Sequence, residues 1–234
     1  MALSFTQSGV SVTNTANQAT AYAGTTATPA AGDLLICAVL CTGNTVVGTL
    51  SGQWTWTLLT SFTTGAGANI FSIWWAYAAT ATSTTPSYLP NAAATGCIIH
   101  CTRITGAEGQ QQPYIRQVAT NTASTANPTV VFGSAPLAGN GILTWGTNLT
   151  NLATQWSGPT SFTEVAELAM NTPTTSLQIA GRASGQTTAT LTWTNANVTA
   201  WTTYAIEFYV AGTGPTEVSN GMSVGGGFFG INTL

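Results

Sequence analysis

Gly32-Asp33-Leu34-Leu35-Ile36-Cys37-Ala38-Val39-Leu40-Cys41 is a turn followed by eight unbroken apolar residues. A run this short, opened by a glycine and an aspartate and rich in branched side chains, reads as a β-strand buried on both faces rather than as a helix. It is far below the length needed to cross a bilayer as a helix. A weaker copy, Gly139-Asn140-Gly141-Ile142-Leu143, lies 107 positions on. Around these runs, short β-rich segments alternate with clusters of Gly, Pro, Asn and Ser, and no window shows a sustained 3.6-residue period. The pattern predicts strands near 3–12, 33–41, 54–62, 69–79, 96–104, 128–133, 141–147, 161–169, 175–182, 188–194 and 203–210. With nothing helical to serve as a crossover, those strands must pair antiparallel. The expectation is an all-β protein, an antiparallel β-sandwich wound like a jelly roll.

Two halves of that domain, 1–104 and 128–210, resemble each other. Asn69 to Ala79 is echoed by Thr175 to Ala183, and Cys97-Ile98-Ile99 by Ala205-Ile206-Glu207. Both halves are expected in one double-sheet domain, 1–210, with 105–127 as a long connection that has some order of its own. After Val210 the composition turns to glycine, in 211–234. That tail cannot build a core of its own. It does carry Met222, Val224, Phe228, Phe229, Ile231 and Leu234, the anchors expected of an extended arm docking on a neighbour.

Charge is scarce: three arginines, no lysine and six acids in 234 residues, for a formal net charge of −3. Arg103, Arg116 and Arg182 are too few and too scattered to track a phosphate backbone, so nucleic acid is not an expected partner. A typical soluble domain is about 25% charged, whereas here the figure is 4%. A surface of Thr, Ser, Asn and Gln suits packed assemblies, where charges would have to be desolvated at every contact. With so few ionisable groups, stability is expected to be nearly flat across neutral pH. The amino terminus carries neither a basic region nor an apolar stretch of the secretory kind, pointing to synthesis in a cytoplasm.

The candidates for chemistry are His100, Asp33, Glu108, Glu164, Glu167, Glu207 and Glu217. His100 sits in an apolar strand, and its neighbour Cys101 points to the opposite face, so a histidine–cysteine nucleophile is not expected. Asp33 reads as a turn residue accepting backbone N–H bonds. Glu164 and Glu167 are the one close carboxylate pair, but three residues apart along a regular strand they face opposite ways, which argues against glycoside hydrolysis. No catalytic motif is present, and no enzyme activity, cofactor or metal site is expected. Cys37 and Cys41, like Cys97 and Cys101, are four apart on strands, roughly 13 Å along the chain direction. They are expected as buried thiols, with a cross-strand disulfide as the alternative. Among the aromatics, alternation puts Phe71, Ile73, Trp75 and Tyr77 on a core face. Trp74 falls on the other, as an interface residue or a platform for a sugar ring. Of Trp54 and Trp56, at least one should be buried.

Three stretches taken in order carry a likeness: Ala31 to Val39; Trp54-Thr55-Trp56-Thr57-Leu58-Leu59; and Ile70 to Ala79 with its Phe, Trp and Tyr. With the closing Trp201 and Tyr204-Ala205-Ile206-Glu207-Phe208, this resembles a β-sandwich domain of bacteriophage structural proteins over about residues 1–210. Here the glycine is displaced, in Gly52-Gln53-Trp54, and Ala76 stands near the position of a basic residue. The resemblance implies a part of a virion made in a bacterial host. The specific expectation is a capsid decoration or cement protein, a homo-oligomer, taken as a homotrimer, that contacts the major capsid protein without nucleic acid or membrane. The alternative is a carbohydrate- or receptor-binding module of a tail or fibre.

Overall fold

A computed structural model describes residues 3–13, 20–64, 69–107, 115–123, 127–148, 156–195 and 200–210. The docking anchors Met222, Val224, Phe228, Phe229, Ile231 and Leu234, together with Glu108 and Glu217, lie outside the described residues. The chain is all-β, and no helix occurs among the described residues.

The first part supplies β1 (Ser4–Thr13), β2 (Tyr22–Ala23), β3 (Leu34–Thr42), β4 (Thr49–Ser51), β5 (Thr57–Thr64), β6 (Asn69–Tyr77), β7 (Ser87–Leu89) and β8 (Gly96–Thr105). The second supplies β9 (Ile115–Ala123), β10 (Thr129–Val131), β11 (Gly141–Asn148), β12 (Trp156–Ser157), β13 (Thr163–Asn171), β14 (Thr174–Arg182), β15 (Thr190–Thr192), β16 (Thr194–Asn195) and β17 (Trp201–Phe208). Two five-stranded antiparallel sheets result, ordered β1-β8-β3-β6-β5 and β13-β14-β11-β17-β9. Read from β9 backwards, the second order repeats the first strand for strand. Each half thus builds one whole sheet, with its last long strand lying between its first two.

The register fixes the correspondence residue by residue. Leu35 pairs with Ala76 and Arg103, and Ile142 with Arg182 and Glu207. Both strands follow the same turn, in which the N–H of Asp33 donates to Ala30 O and that of Asn140 to Leu137 O. Asn69 therefore matches Thr175, as the sequence echo has it. The closing strands match differently: Cys101-Thr102-Arg103, not Cys97-Ile98-Ile99, stands where Ala205-Ile206-Glu207 stands. Apolar composition alone left that strand free to slide by four.

The opening run is buried at every position because both faces of its sheet are covered. Leu34, Ile36, Ala38 and Leu40 enter a cluster with Phe71, Ile73 and Ile98 of their own sheet and Leu143, Trp145, Leu177, Ile179, Tyr204 and Ile206 of the other. Leu35, Cys37, Val39 and Cys41 enter a second cluster, under Tyr22, Leu50 and Tyr88 of a small sheet ordered β2-β7-β4. On the far side, Ile142, Trp201 and Ala205 lie against Val130, Phe132, Leu191 and Trp193, around the β10–β15 pair.

The expected long connection of 105–127 instead contains β9, nine residues paired along the edge of β17. Ile115-Arg116-Gln117-Val118-Ala119-Thr120 carries too little apolar character to announce a strand, since as an edge it needs only one side of its backbone paired. The covering strands β2, β4 and β7 are two or three residues long, too short to show a period.

Candidate functional site

Four of the described charged side chains form two ion pairs, Asp33 with Arg103 and Glu207 with Arg116. Asp33 Oδ2 accepts from the N–H of Ala30 at 2.7 Å and lies 3.4 Å from Arg103 Nε. That is the turn role expected of it. At the matching place in the second half the chemistry is inverted: Asn140 stands for Asp33 and Glu207 for Arg103. Glu207 is fully buried. Its Oε1 accepts from the N–H of Leu137 at 2.9 Å and from Asn140 Nδ2 at 2.7 Å. Its Oε2 accepts from Arg116 Nη1 at 2.7 Å and Gln117 Nε2 at 2.5 Å. A one-residue bulge where β9 meets β17 brings Arg116 to this carboxylate. With four donors on two oxygens, Glu207 is a structural anchor; no oxygen is left over for proton transfer. Arg182 donates through Nε, Nη1 and Nη2 to Ser184 O, Gln186 Oε1 and Gly185 O.

Glu164 and Glu167 do not face opposite ways. A bulge between Glu164 and Ala166 sets Glu164 opposite Ala180 and Glu167 opposite Gln178, which share one face of β14. The extra residue, Val165, breaks the two-residue period on which the expectation rested. Gln178 Nε2 donates to Glu164 Oε2 at 3.3 Å. Neither glutamate lines the hollows described below.

His100 is wholly buried in the central layer, with Thr102 Oγ1 3.4 Å from Nδ1 and no partner on Nε2 among the described residues. Burial without a counter-charge pushes its pKa down to about 4. It is a neutral core residue, and the flat pH response expected from composition must bend on the acid side.

The four cysteines are buried free thiols paired across strands: Cys37 opposite Cys101 and Cys41 opposite Cys97. Burial, and then the neighbouring sulfur, push the Cys37 and Cys97 thiols up. Spacing along each strand, the visible signal, did not show that the antiparallel register sets the two Cys-x3-Cys motifs face to face. Among the described residues no cluster of three or more His, Cys, Asp or Glu is placed to hold a metal ion.

The aromatic expectation holds for Phe71 and Ile73 and fails for Trp74. Trp74, expected as an interface residue or a platform for a sugar ring, is buried beneath the small sheet, with Nε1 donating to Ser72 Oγ at 3.0 Å. The alternation was right, but the face assumed open is covered. On the opposite face Phe71 and Ile73 are buried, while Trp75 and Tyr77 emerge half-buried at the end of the strand. There, with Trp54, Gln53, Thr55 and Thr57, they line an open groove of about 630 Å³. Trp56, two residues from Trp54, is the buried member of that pair. A second hollow of about 320 Å³ lies between Pro159, Ser161, Arg182, Gln186 and Thr190.

Comparison with known protein families, curated proteins and solved structures finds no match.

Proposed function

We propose that this chain is a structural protein of a bacteriophage virion, a capsid decoration or cement protein acting as a homotrimer against the major capsid protein. The observation that carries this reading is the consumption of charge. Among the described residues, Asp33 is turned on Arg103, Glu207 on Arg116, and Arg182 on backbone carbonyls and the Gln186 amide, while Glu164 stays exposed on a surface rich in hydroxyls and amides. Such a surface neither repels further copies nor requires ions to be stripped of water at a contact. A stable contact needs roughly 800 Å² per partner. The two main sheets are read as a β-sandwich, supported by the single apolar cluster to which both contribute. The assignment of one half to each sheet favours a duplicated sandwich over jelly-roll winding. The extended arm at 211–234 completes the proposal as a docking segment, and the virion is the proposed location after synthesis in the host cytoplasm.

Sedimentation velocity across concentration and salt tests it. A trimer whose stability is insensitive to salt is expected, together with recovery of the protein on particles stripped of it. A monomer at all concentrations that does not return to such particles would refute the proposal. One observation, the groove at Trp54, Trp75 and Tyr77, favours a second reading: a carbohydrate- or receptor-binding module of a tail or fibre.

A further inference from the structure

We propose that the groove formed by Trp54, Trp75 and Tyr77 binds the neutral pyranose rings of a glycan. This inference rests on the second reading above and gives it a location.

The chemistry of the lining sets the ligand class. A pyranose presents C–H bonds on one face and hydroxyls around its rim. It therefore fits beside a half-exposed aromatic ring, with donors and acceptors within reach of its edge. Trp54, Trp75 and Tyr77 are each half-buried. Trp54 packs against the cluster beneath the small sheet and Trp75 against the central one, so both rings are held at the seam between layers. Gln53, Thr55 and Thr57 supply an amide and two hydroxyls, all exposed. Among the described residues, no Asp, Glu, Lys, Arg or His lines the groove. A phosphate, sulfate or carboxylate on the ligand would find no counter-charge, and the ligand is accordingly neutral. The volume, about 630 Å³, falls within the usual range for small-molecule sites.

The groove is also held in shape before any ligand arrives. The N–H of Gln53 donates to Thr84 Oγ1 at 2.7 Å. Thr84 is in turn tied to Ala27 by two backbone hydrogen bonds of 2.7 and 3.0 Å. A Cβ on Gly52 would stand 2.6 Å from Thr84 Oγ1, so the glycine lets the turn that presents Gln53 and Trp54 close down on its support. Thr57 sits directly across the strand pair from Trp75, beside the bulge in β5 between Leu58 and Thr60. Bulges re-aim side chains in this way next to binding sites.

Comparison of the halves separates function from folding. By register, Trp75 and Tyr77 correspond to Gly181 and Ala183 in the second half. There Phe5 lies over the glycine, 2.6 Å from where a Cβ would be. The same strand in the same sheet order is thus built with a glycine and an alanine. The fold does not demand two large aromatic rings at these positions.

The test is titration of the full-length protein with neutral oligosaccharides of two to six units, from gluco-, galacto-, manno- and N-acetylglucosamine series, and in parallel with sialylated and phosphorylated glycans. Tryptophan fluorescence and calorimetry report binding. At least one series is expected to bind, and Trp75→Ala and Gln53→Ala are each expected to weaken it about tenfold or more. Gln53→Ala removes an exposed side chain, so it remains informative if Trp75→Ala fails to fold. Thr188→Ala, at the second hollow, should bind as the parent does. Undiminished binding by folded Trp75→Ala and Gln53→Ala would overturn the groove while leaving the glycan-binding reading standing. Binding only to sialylated or phosphorylated glycans would overturn the neutral-ligand assignment. No binding to any glycan at ~10 mM would overturn both, and a defect in self-assembly of the Trp75→Ala protein would then identify the groove as a protein contact.

Discussion

Replacing Glu207 with glutamine should destabilise the protein nearly as much as replacing it with alanine. A glutamine is almost the same shape, but all four partners of this side chain are donors: Arg116 Nη1, Gln117 Nε2, the N–H of Leu137 and Asn140 Nδ2. Whichever way the new amide is turned, its NH₂ faces two of them. Arg116 and the Leu137 backbone cannot become acceptors. Gln117 can turn its amide only by surrendering the bonds that its oxygen accepts from Ser134 N and Oγ. Each buried donor left unpaired costs about 1–3 kcal/mol, and breaking a buried ion pair costs about 3–5 kcal/mol. Arg116, whose side chain is 20% exposed, recovers part of this by reaching water. The expected losses are about 3 kcal/mol for Glu207→Gln and about 4 kcal/mol for Glu207→Ala. In urea at pH 7, with a slope of about 2–3 kcal/mol/M, the glutamine variant should unfold at a midpoint lower by about 1 M or more. A Glu207→Gln protein within about 0.5 kcal/mol of the parent would refute the claim that this network anchors β9 and the 134–140 turn to β17.

Further expectations concern the buried histidine and the thiols. His100 has its pKa held at about 4 against an ordinary 6.5. Between those values the unfolded chain takes a proton that the folded chain refuses. Stability should be unchanged by this group above about pH 6.5, then fall with pH, by about 3 kcal/mol at pH 4. Chemical denaturation from pH 7 to pH 4 should show a shallower decline for His100→Gln than for the parent, and parallel curves would contradict the assignment. The four thiols should be silent to Ellman's reagent in the native protein and all react on denaturation. Oxidative refolding followed by peptide mapping should join Cys37 to Cys101 and Cys41 to Cys97, whose opposed Cα positions lie within disulfide reach. A Cys37–Cys41 link would contradict the register.

The strands that were legible in the sequence are those that carry the cores. Leu34–Thr42 and Asn69–Tyr77 have enough apolar density to announce themselves. The likeness of Gly32-Asp33-Leu34 to Gly139-Asn140-Gly141 marked two copies of one turn. Three kinds of feature were not legible. An edge strand such as β9 owes its place to backbone bonds with β17, and hydroxyl-rich residues serve there as well as apolar ones. Bulges at Val165 and Arg116 reset which face a side chain occupies, and a strict two-residue period cannot anticipate them. Cover is the third. The Trp74 face is closed by β2, β4 and β7, strands of two or three residues that are too short to show a period. Alternation therefore sorted the aromatics into faces correctly and placed Phe71 and Ile73 in the core, but it showed neither the cover over Trp74 nor the emergence of Trp75 and Tyr77 at the strand end.

The duplicated sheet order has a consequence for how this chain can change. Each half makes one apolar surface that it cannot cover, and the surface that covers it belongs to its sibling. The arrangement is that of a dimer whose subunits are tethered, so the second docking event is intramolecular and independent of protein concentration. A dimer of identical subunits would receive every substitution twice. A tethered pair receives it once, and the two copies are free to separate in chemistry while remaining matched in shape. Asp33–Arg103 set against Asn140–Glu207, and Trp75 set against Gly181 beneath Phe5, are two places where the halves differ in chemistry. At that position one half packs compactly against Phe5, and the other presents a half-exposed aromatic ring.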